Sequence, residues 1–234
     1  MADDFSLAEG ITAGEWIHAH FHRSVVFETE GPMYERAQVV SDRLQAGRPP
    51  LDRLIVEVPW IRIRTAFTLP GRYIYFSRGL IEYCPDEECA AFVVAHEIAH
   101  HDLGHLRLFP HWMGRFARRS GGAAVILAME AVERRLYGPE RECEADRHAI
   151  KLCRAAGYDP QRCLYLFHVL EQLALDIGDD AIVFGPSMDS DEELASDAPL
   201  LTKVKIWAWQ RTRGYLPIRD RRQALVHLLE AEGR

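Results

Sequence analysis

The segment from Pro85 to Leu108 constrains the fold of this chain more than any other part of the sequence. Pro85-Asp86-Glu87-Glu88 is typical of a helix start, because proline suits the first turn and acidic side chains favour the positive end of the helix dipole. Apolar residues then fall on most sides of the predicted helix: Cys89, Phe92, Val93, Val94, Ile98 and Leu103. A helix that is apolar nearly all round is buried. We therefore predict a core helix through about Leu108, with other elements packed around it.

Two histidines and a glutamate lie in the middle of this helix, within Ala95-His96-Glu97-Ile98-Ala99-His100 (HExxH). Residues four apart share a helix face with their Cβ atoms about 6 Å apart, so His96 and His100 can bind one zinc ion. Glu97 is one step round the helix and can reach a water on the open side of the metal. Because zinc lowers the pKa of such a water to about 7, the Glu97 carboxylate can take its proton for attack on a peptide carbonyl.

The alternative is a core helix whose two histidines are merely hydrogen-bonded. Three fixed letters in five recur by chance, so the motif alone is a hypothesis. Burying two imidazoles and a carboxylate without partners is costly, however, and a metal would satisfy them. We therefore favour one zinc ion per chain.

A catalytic zinc needs a third protein ligand and keeps one position open. Glu142 and Asp146 are four residues apart on a predicted helix, and their face continues through apolar residues, so it points inward. We predict Glu142 as the third ligand and Asp146 as the acceptor for the other N–H of a ligand histidine. Glu144 is an alternative ligand, and a merely solvated, acidic helix start is the alternative to any metal role.

A second histidine pair, His101 and His105, lies on an adjacent face of the same helix without a suitably spaced glutamate. We interpret these two side chains as polar neighbours of the site rather than ligands. Cys143 should face away from the site and contribute to packing.

The remaining sequence predicts an α+β fold. Residues 53–68 and 72–77 are rich in β-branched and aromatic residues, so we predict two strands, the first interrupted near Pro59, that pair as an antiparallel hairpin. Residues 1–30 have weak periodicity and form an unassigned N-terminal extension, and the acidic, turn-rich segment 185–199 is predicted to be a mobile loop. Apolar periodicity and Pro or Gly boundaries predict helices over about 31–46, 121–137, 139–157, 159–178, 200–211 and 218–231.

Length, net charge and the lengths of apolar runs limit which kinds of protein this chain can be. The chain has 234 residues, a size that favours a single domain over 1–234. Its 28 basic and 35 acidic residues give a net charge of −7, which argues against nucleic-acid or anionic-membrane partners. The longest apolar run, 121–129, is about half of the roughly 20 residues that span a bilayer, and the acidic N-terminus is unlike a signal peptide. We therefore expect a soluble, cytoplasmic protein.

The sequence over about 55–205 resembles the HtpX-like and CAAX-prenyl-protease-type zinc peptidases, including their soluble bacterial members. The resemblance is carried by five segments: Thr65-Ala66-Phe67-Thr68-Leu69-Pro70-Gly71, Tyr73-Ile74-Tyr75-Phe76-Ser77-Arg78-Gly79-Leu80, Asp86-Glu87-Glu88, the HExxH motif and Glu142-Cys143-Glu144-Ala145-Asp146-Arg147. It implies a gluzincin: a mostly helical, zincin-like α+β domain with a small antiparallel sheet beside the active-site helix. It also implies one zinc on His96, His100 and Glu142, with Glu97 as the base and Asp146 supporting a ligand.

Two positions depart from this family. Thr65 stands where the family usually has asparagine, and Ala198 stands where a histidine near the active site is common. The donor that would stabilise the oxyanion of the transition state is therefore not assigned by the sequence. Many relatives also carry membrane helices, which this sequence lacks.

These features predict a zinc endopeptidase acting on peptides or unfolded proteins, with the substrate extended along an edge strand near 72–77. The alternative is a zinc-stabilised binding or regulatory module with little turnover, motivated by Ala198 and by an acidic loop, 185–199, that could cover the cleft. The natural substrate and the oligomeric state are not predicted.

Overall fold

A computed structural model describes residues 7–62, 64–108, 122–176 and 218–232. The predicted acidic loop 185–199, its Ala198 and the predicted helix 200–211 lie outside the described residues. The helices are α1 (Leu7–Ser24), α2 (Pro32–Leu44), α3 (Arg78–Tyr83), α4 (Glu87–Asp102), α5 (Gly122–Ala155), α6 (Pro160–Cys163), α7 (Tyr165–Asp176) and α8 (Ile218–Glu232), with short 3-10 turns at Pro50–Asp52 and His105–Leu108. The strands are β1 (Phe27–Glu28), β2 (Ile55–Pro59), β3 (Ala66–Leu69) and β4 (Tyr73–Phe76).

The mostly helical α+β class is confirmed, but the prediction of a purely antiparallel sheet is wrong. The four strands form one mixed sheet in the order β1-β2-β4-β3. Strand β4 pairs antiparallel with β3 across the turn at Gly71, whose φ is 102°, and parallel with β2, where Ile55 lies opposite Tyr73. The strand predicted over 53–68 is interrupted after Pro59, where the prediction also placed a break, and the residues before Ala66 carry the chain to the other side of β4. A hairpin pattern in the sequence could not reveal that crossing.

The strand order also corrects the predicted location of the substrate strand. Residues 73–76 lie between β2 and β3, so both edges of β4 are hydrogen-bonded within the sheet. Strand β3 lies at the end of the sheet instead. A peptide that extends the sheet on this side must therefore pair with Ala66–Leu69.

Helices cover both faces of the sheet. On one face, Val56, Ile74 and Phe76 join α2 and α4 in the main core. On the other face, α1 packs against the sheet in a smaller cluster whose members are Ala13, Ile17, Phe21, Phe67, Leu69 and Tyr75. A side chain at Gly14 would collide with the carbonyl oxygen of Pro70, so this glycine permits the close approach of α1 to the β3–β4 turn. No element was predicted for the segment that forms α1.

The buried core helix is confirmed as α4, with a shorter extent than predicted. The Asp86 side chain accepts a hydrogen bond from the Cys89 N–H and caps its start. The helix ends at Asp102 rather than Leu108, because Gly104 adopts a φ of 70° and the chain then forms the 3-10 turn. Helix α4 packs against α2, β3 and α5, so its middle turns lie at the centre of the molecule.

Helix α5 is interrupted at Gly138, whose φ of 52° and ψ of 170° are not helical. The sequence predicted a new helix at Pro139, and the break lies directly before it. The part of α5 that follows runs beside α4. No helix in the described residues is both long and apolar enough to cross a membrane.

Candidate metal centre

The three predicted ligand side chains come together between α4 and α5. His96 Nε2 lies 3.1 Å from His100 Nε2 and 3.4 Å from Glu142 Oε2. His100 Nε2 lies 3.6 Å from Glu142 Oε1. Two imidazole nitrogens and the Glu142 carboxylate, from two helices, therefore surround one point, and one potential ligand atom from each residue lies within 4.8 Å of the other two.

Two features of the local sequence produce this arrangement. The helical period places His96 and His100 on one face of α4, one turn apart. The break at Gly138 starts a new helical run that brings Glu142 opposite them. His100 and Glu142 are buried, whereas the side chain of His96 retains 14% of its exposure, so the centre is accessible from the His96 side.

The donor set fits zinc. Ligand atoms around a tetrahedral zinc, each about 2.0–2.2 Å from the metal, lie about 3.3–3.6 Å from one another. The two imidazole nitrogens are 3.1 Å apart, and each lies 3.4 or 3.6 Å from a Glu142 carboxylate oxygen, distances close to that range. Two imidazoles and one carboxylate are the set found in catalytic zinc sites with an open fourth position, and they do not suit calcium, which takes oxygen ligands.

Glu97 is buried beside the triad, at 7% exposure. Burial raises the pKa of its carboxyl to about 7, against the opposing charge of His96 and with a further contribution from the Glu142 carboxylate. A carboxyl of this kind gains and loses a proton near neutral pH, as a general base that later acts as an acid must.

The sequence profile of peptidase family M48 matches residues 35–203, more than half of the chain. The chain belongs to family M48. The resemblance to HtpX-like and CAAX-protease-type zinc metallopeptidases is thereby confirmed, and the matched region begins earlier than the predicted boundary, within α2. No curated protein matches the chain.

In this M48 chain, Asp146 occupies the position expected of it, one helical turn from Glu142. Its Oδ1 lies 3.1 Å from His96 Nδ1, which is within ion-pair distance. The N–H at this nitrogen does not point at the oxygen, so the contact lacks the geometry of a hydrogen bond. Burial would raise the pKa of Asp146, but the guanidinium of Arg221 and the ring of His96 hold it below its usual value. Asp146 is therefore an anion positioned behind the imidazole of His96, a predicted ligand.

Arg221 is a site residue that sequence reasoning missed. It lies on α8, outside the matched region, and donates from Nε to Asp146 Oδ2 and from Nη2 to Asp146 Oδ1, both at 2.7 Å. Its Nη1 lies 3.2 Å from Glu142 Oε2. One signal was available in the sequence, because Arg221 shares the helical stripe of Leu225 and Leu229, and an arginine in a buried stripe requires an anionic partner.

His105 contacts His100, the second of the two predicted ligand histidines. Its Nδ1 lies 2.8 Å from His100 Nδ1, and its Nε2 lies 3.4 Å from Glu144 Oε2. Glu144, the alternative third ligand, thus lies behind His105 and not at the triad, and its side chain is half exposed. The predicted role of His105 as a polar neighbour agrees with this geometry.

His101 lies apart from the triad. Its Nε2 contacts the Thr68 hydroxyl, which in turn donates to the carbonyl oxygen of Tyr73 at 2.9 Å. Burial lowers the pKa of His101 to about 4, so the ring is neutral and links α4 to the sheet.

The three side chains of the triad have very different pKa values. Burial and the neighbouring His96 lower the pKa of His100 well below its ordinary value, so this imidazole is neutral. Burial acts on His96 in the same direction, but Asp146 and Glu142 outweigh it and raise the pKa of His96 to about 10. Burial opposes ionisation of Glu142, yet His96 and Arg221 lower its pKa to about 2. Without metal, His96 therefore holds a proton between two carboxylates.

Proposed function

We propose that this M48 protein is a zinc-dependent endopeptidase in which His96, His100 and Glu142 hold the metal and Glu97 serves as the base. The observation that carries the proposal is the cluster of two imidazole nitrogens 3.1 Å apart and the Glu142 carboxylate within 3.6 Å of both, with the buried Glu97 carboxyl beside it. When bound, zinc would lower the pKa of a water and polarise the scissile carbonyl.

The chain itself supplies the proton transfers. Glu97 takes the proton of the attacking water and later gives it to the nitrogen of the leaving amine. Its raised pKa, about 7, supports both steps, because the carboxyl is neither fully ionised nor fully protonated near neutral pH.

Ligand orientation is the second contribution of the protein. Asp146 lies at His96 Nδ1 and His105 lies at His100 Nδ1, so each ligand ring has a partner at the nitrogen that faces away from the metal. The hydrogen bond of His105 sets the tautomer of His100, and the Asp146 anion lies close enough to His96 Nδ1 to favour a proton on that nitrogen. Arg221 in turn fixes Asp146 by two hydrogen bonds.

Strand β3 provides a place for an extended peptide. The Ser77 N–H donates to the Thr65 carbonyl at 3.0 Å, so by the alternation of an antiparallel ladder the backbone groups of Ala66 and Thr68 face away from β4. A substrate that adds to this edge would lie alongside α4, which packs against β3. The proposed substrate is therefore an unfolded protein or a flexible peptide.

The decisive experiment combines metal analysis with cleavage. Purified protein should contain zinc, digest casein, lose activity on chelation and regain it when zinc is restored. Glu97→Gln should retain zinc and lose activity by about 10²–10⁴-fold, the usual contribution of a general base. Glu88→Gln is the matched control, since its carboxylate lies on the same helix but pairs with Arg162 at 3.0 Å.

The outcomes separate the candidate functions. A Glu97→Gln variant that digests casein at the rate of the parent would reject the catalytic role. Bound zinc without hydrolysis of any unfolded substrate would favour the zinc-stabilised binding module. Internal cleavage of a peptide blocked at both ends would establish endopeptidase action.

A further inference from the structure

A second group of two histidines and a glutamate lies on the other face of the sheet. His18 and His22 are one turn apart on α1, and Glu57 comes from β2. Glu57 Oε2 lies 2.6 Å from His22 Nε2 and 3.8 Å from His18 Nδ1. One potential ligand atom from each of the three residues lies within 4.8 Å of the other two, a condition that the triad of His96, His100 and Glu142 also meets.

The alternation of β2 separates this group from the catalytic site. Val56 and Val58 point into the main core beside α4, so Glu57 points to the face that α1 covers. Helix α1 belongs to the segment that received no assignment from the sequence. Its apolar contacts with the sheet form only the smaller cluster around Phe21 and Tyr75.

Neighbouring aromatic rings hold both imidazoles in place. His18 stacks on Tyr73 with ring centroids 3.7 Å apart and planes 10° apart. His22 stacks on Phe27 with centroids 4.1 Å apart and planes 12° apart. His18 Nδ1, the nitrogen nearest Glu57, also makes a hydrogen bond of 2.8 Å with the Tyr75 hydroxyl, which a metal bound at this atom would replace. Rings oriented by packing lose less entropy when they bind a ligand.

We propose that His18, His22 and Glu57 form a second zinc site, which fastens α1 to the sheet. Two imidazoles one helical turn apart and a carboxylate suit zinc and similar divalent transition metals. The three side chains are partly exposed, so water can complete the coordination. Because two ligands belong to α1 and one to β2, metal binding at this site stabilises the docking of α1.

The count of zinc ions per chain tests this proposal without using activity. The full-length protein is dialysed to equilibrium against micromolar Zn²⁺, and bound metal is measured by elemental analysis. The parent chain should bind two ions, and His22→Gln and Glu57→Gln should each bind one. His20→Gln is the matched control on the same helix and should still bind two.

Each result decides the question. One ion in the parent that His22→Gln retains would overturn the second site, as would two ions that persist in both His22→Gln and Glu57→Gln. One ion in the parent that His22→Gln loses would support this site and count against zinc at the His96 triad.

Circular dichroism of the metal-free variants checks that they fold. The rise in Tm produced by zinc should be smaller in His22→Gln than in His20→Gln, because only the former loses the link between α1 and the sheet.

Discussion

Arg221 binds Asp146 through two parallel hydrogen bonds of 2.7 Å in the interior of the protein. The two residues are 75 positions apart, and the arginine comes from the C-terminal helix α8. Its third nitrogen, Nη1, lies 3.2 Å from Glu142 Oε2, so one guanidinium compensates both carboxylates of the α5 face. The candidate metal centre therefore includes contacts from a helix that lies beyond the region matched by the family.

Removing this guanidinium should destabilise the metal-free fold. Arg221→Met leaves the buried Glu142 and Asp146 carboxylates with His96 as their remaining cationic neighbour, and breaking a buried ion pair in this way costs about 3–5 kcal/mol of unfolding free energy. Urea unfolding in the presence of a chelator measures the change. Arg222→Met, the exposed neighbour, should cost less than about 0.5 kcal/mol. Equal losses in the two variants would contradict the structural role of Arg221.

The third ligand can be tested with a matched pair of glutamates. Glu142→Gln removes a buried carboxylate that contacts both histidines. Zinc affinity should therefore fall by more than about 10–100-fold, which is the typical loss when a residue that supports a ligand from behind is changed. Glu144→Gln should change the affinity only a few-fold, because this half-exposed side chain contacts only the outer nitrogen of His105 at 3.4 Å. Competition with a chromophoric chelator measures both. A larger loss in Glu144→Gln would reverse the assignment.

His105 should affect metal affinity without binding the metal. In His105→Phe the ring volume remains but His100 Nδ1 loses its partner, so zinc affinity should fall about 10–100-fold. His148→Phe is the control, because that histidine contacts Asp102 at 3.1 Å on the protein surface. If both variants bind zinc as the parent does, the contact between His105 and His100 does not orient the ligand.

Zinc binding should release a proton from His96. In the metal-free protein its pKa is raised to about 10, so the ring is protonated at neutral pH and must lose that proton to coordinate. Zinc affinity should therefore increase as the pH rises from about 7 towards 10, with roughly one proton released per zinc near pH 8. Calorimetry in buffers of different ionisation enthalpy measures the release. Asp146→Asn, which removes one of the groups that raise this pKa, should release fewer protons, and equal enthalpies in all buffers would refute the prediction.

Pairing of the substrate with β3 can be tested without changing the protein. A peptide N-methylated at an amide next to the cleavage site cannot donate to the strand, so kcat/KM should fall by about 2–10-fold for each lost hydrogen bond. The same methyl group placed far from the cleavage site serves as the control. Equal kcat/KM values for all methylated peptides near the site would exclude addition to this edge.

Local patterns explain why several elements were predictable. The acidic start of α4 and its apolar residues indicated a core helix, and Pro139 and Pro160 marked the starts of helical segments that the structure contains. The arrangement of the sheet was not predictable in this way. Parallel pairing of β2 with β4 requires the chain to pass from one side of β4 to the other between Pro59 and Ala66, and no turn residue signals that path.

The sequence by itself determined which side chains share a helix face. His96 with His100, and Glu142 with Asp146, are held at short distance by the helical period alone. Tertiary structure alone decided that Arg221 reaches Asp146, that His105 reaches His100, and that β3 rather than β4 forms the edge. The physical reason is that backbone geometry fixes distances over one or two turns of chain, whereas contacts between distant segments depend on how whole helices and strands pack together.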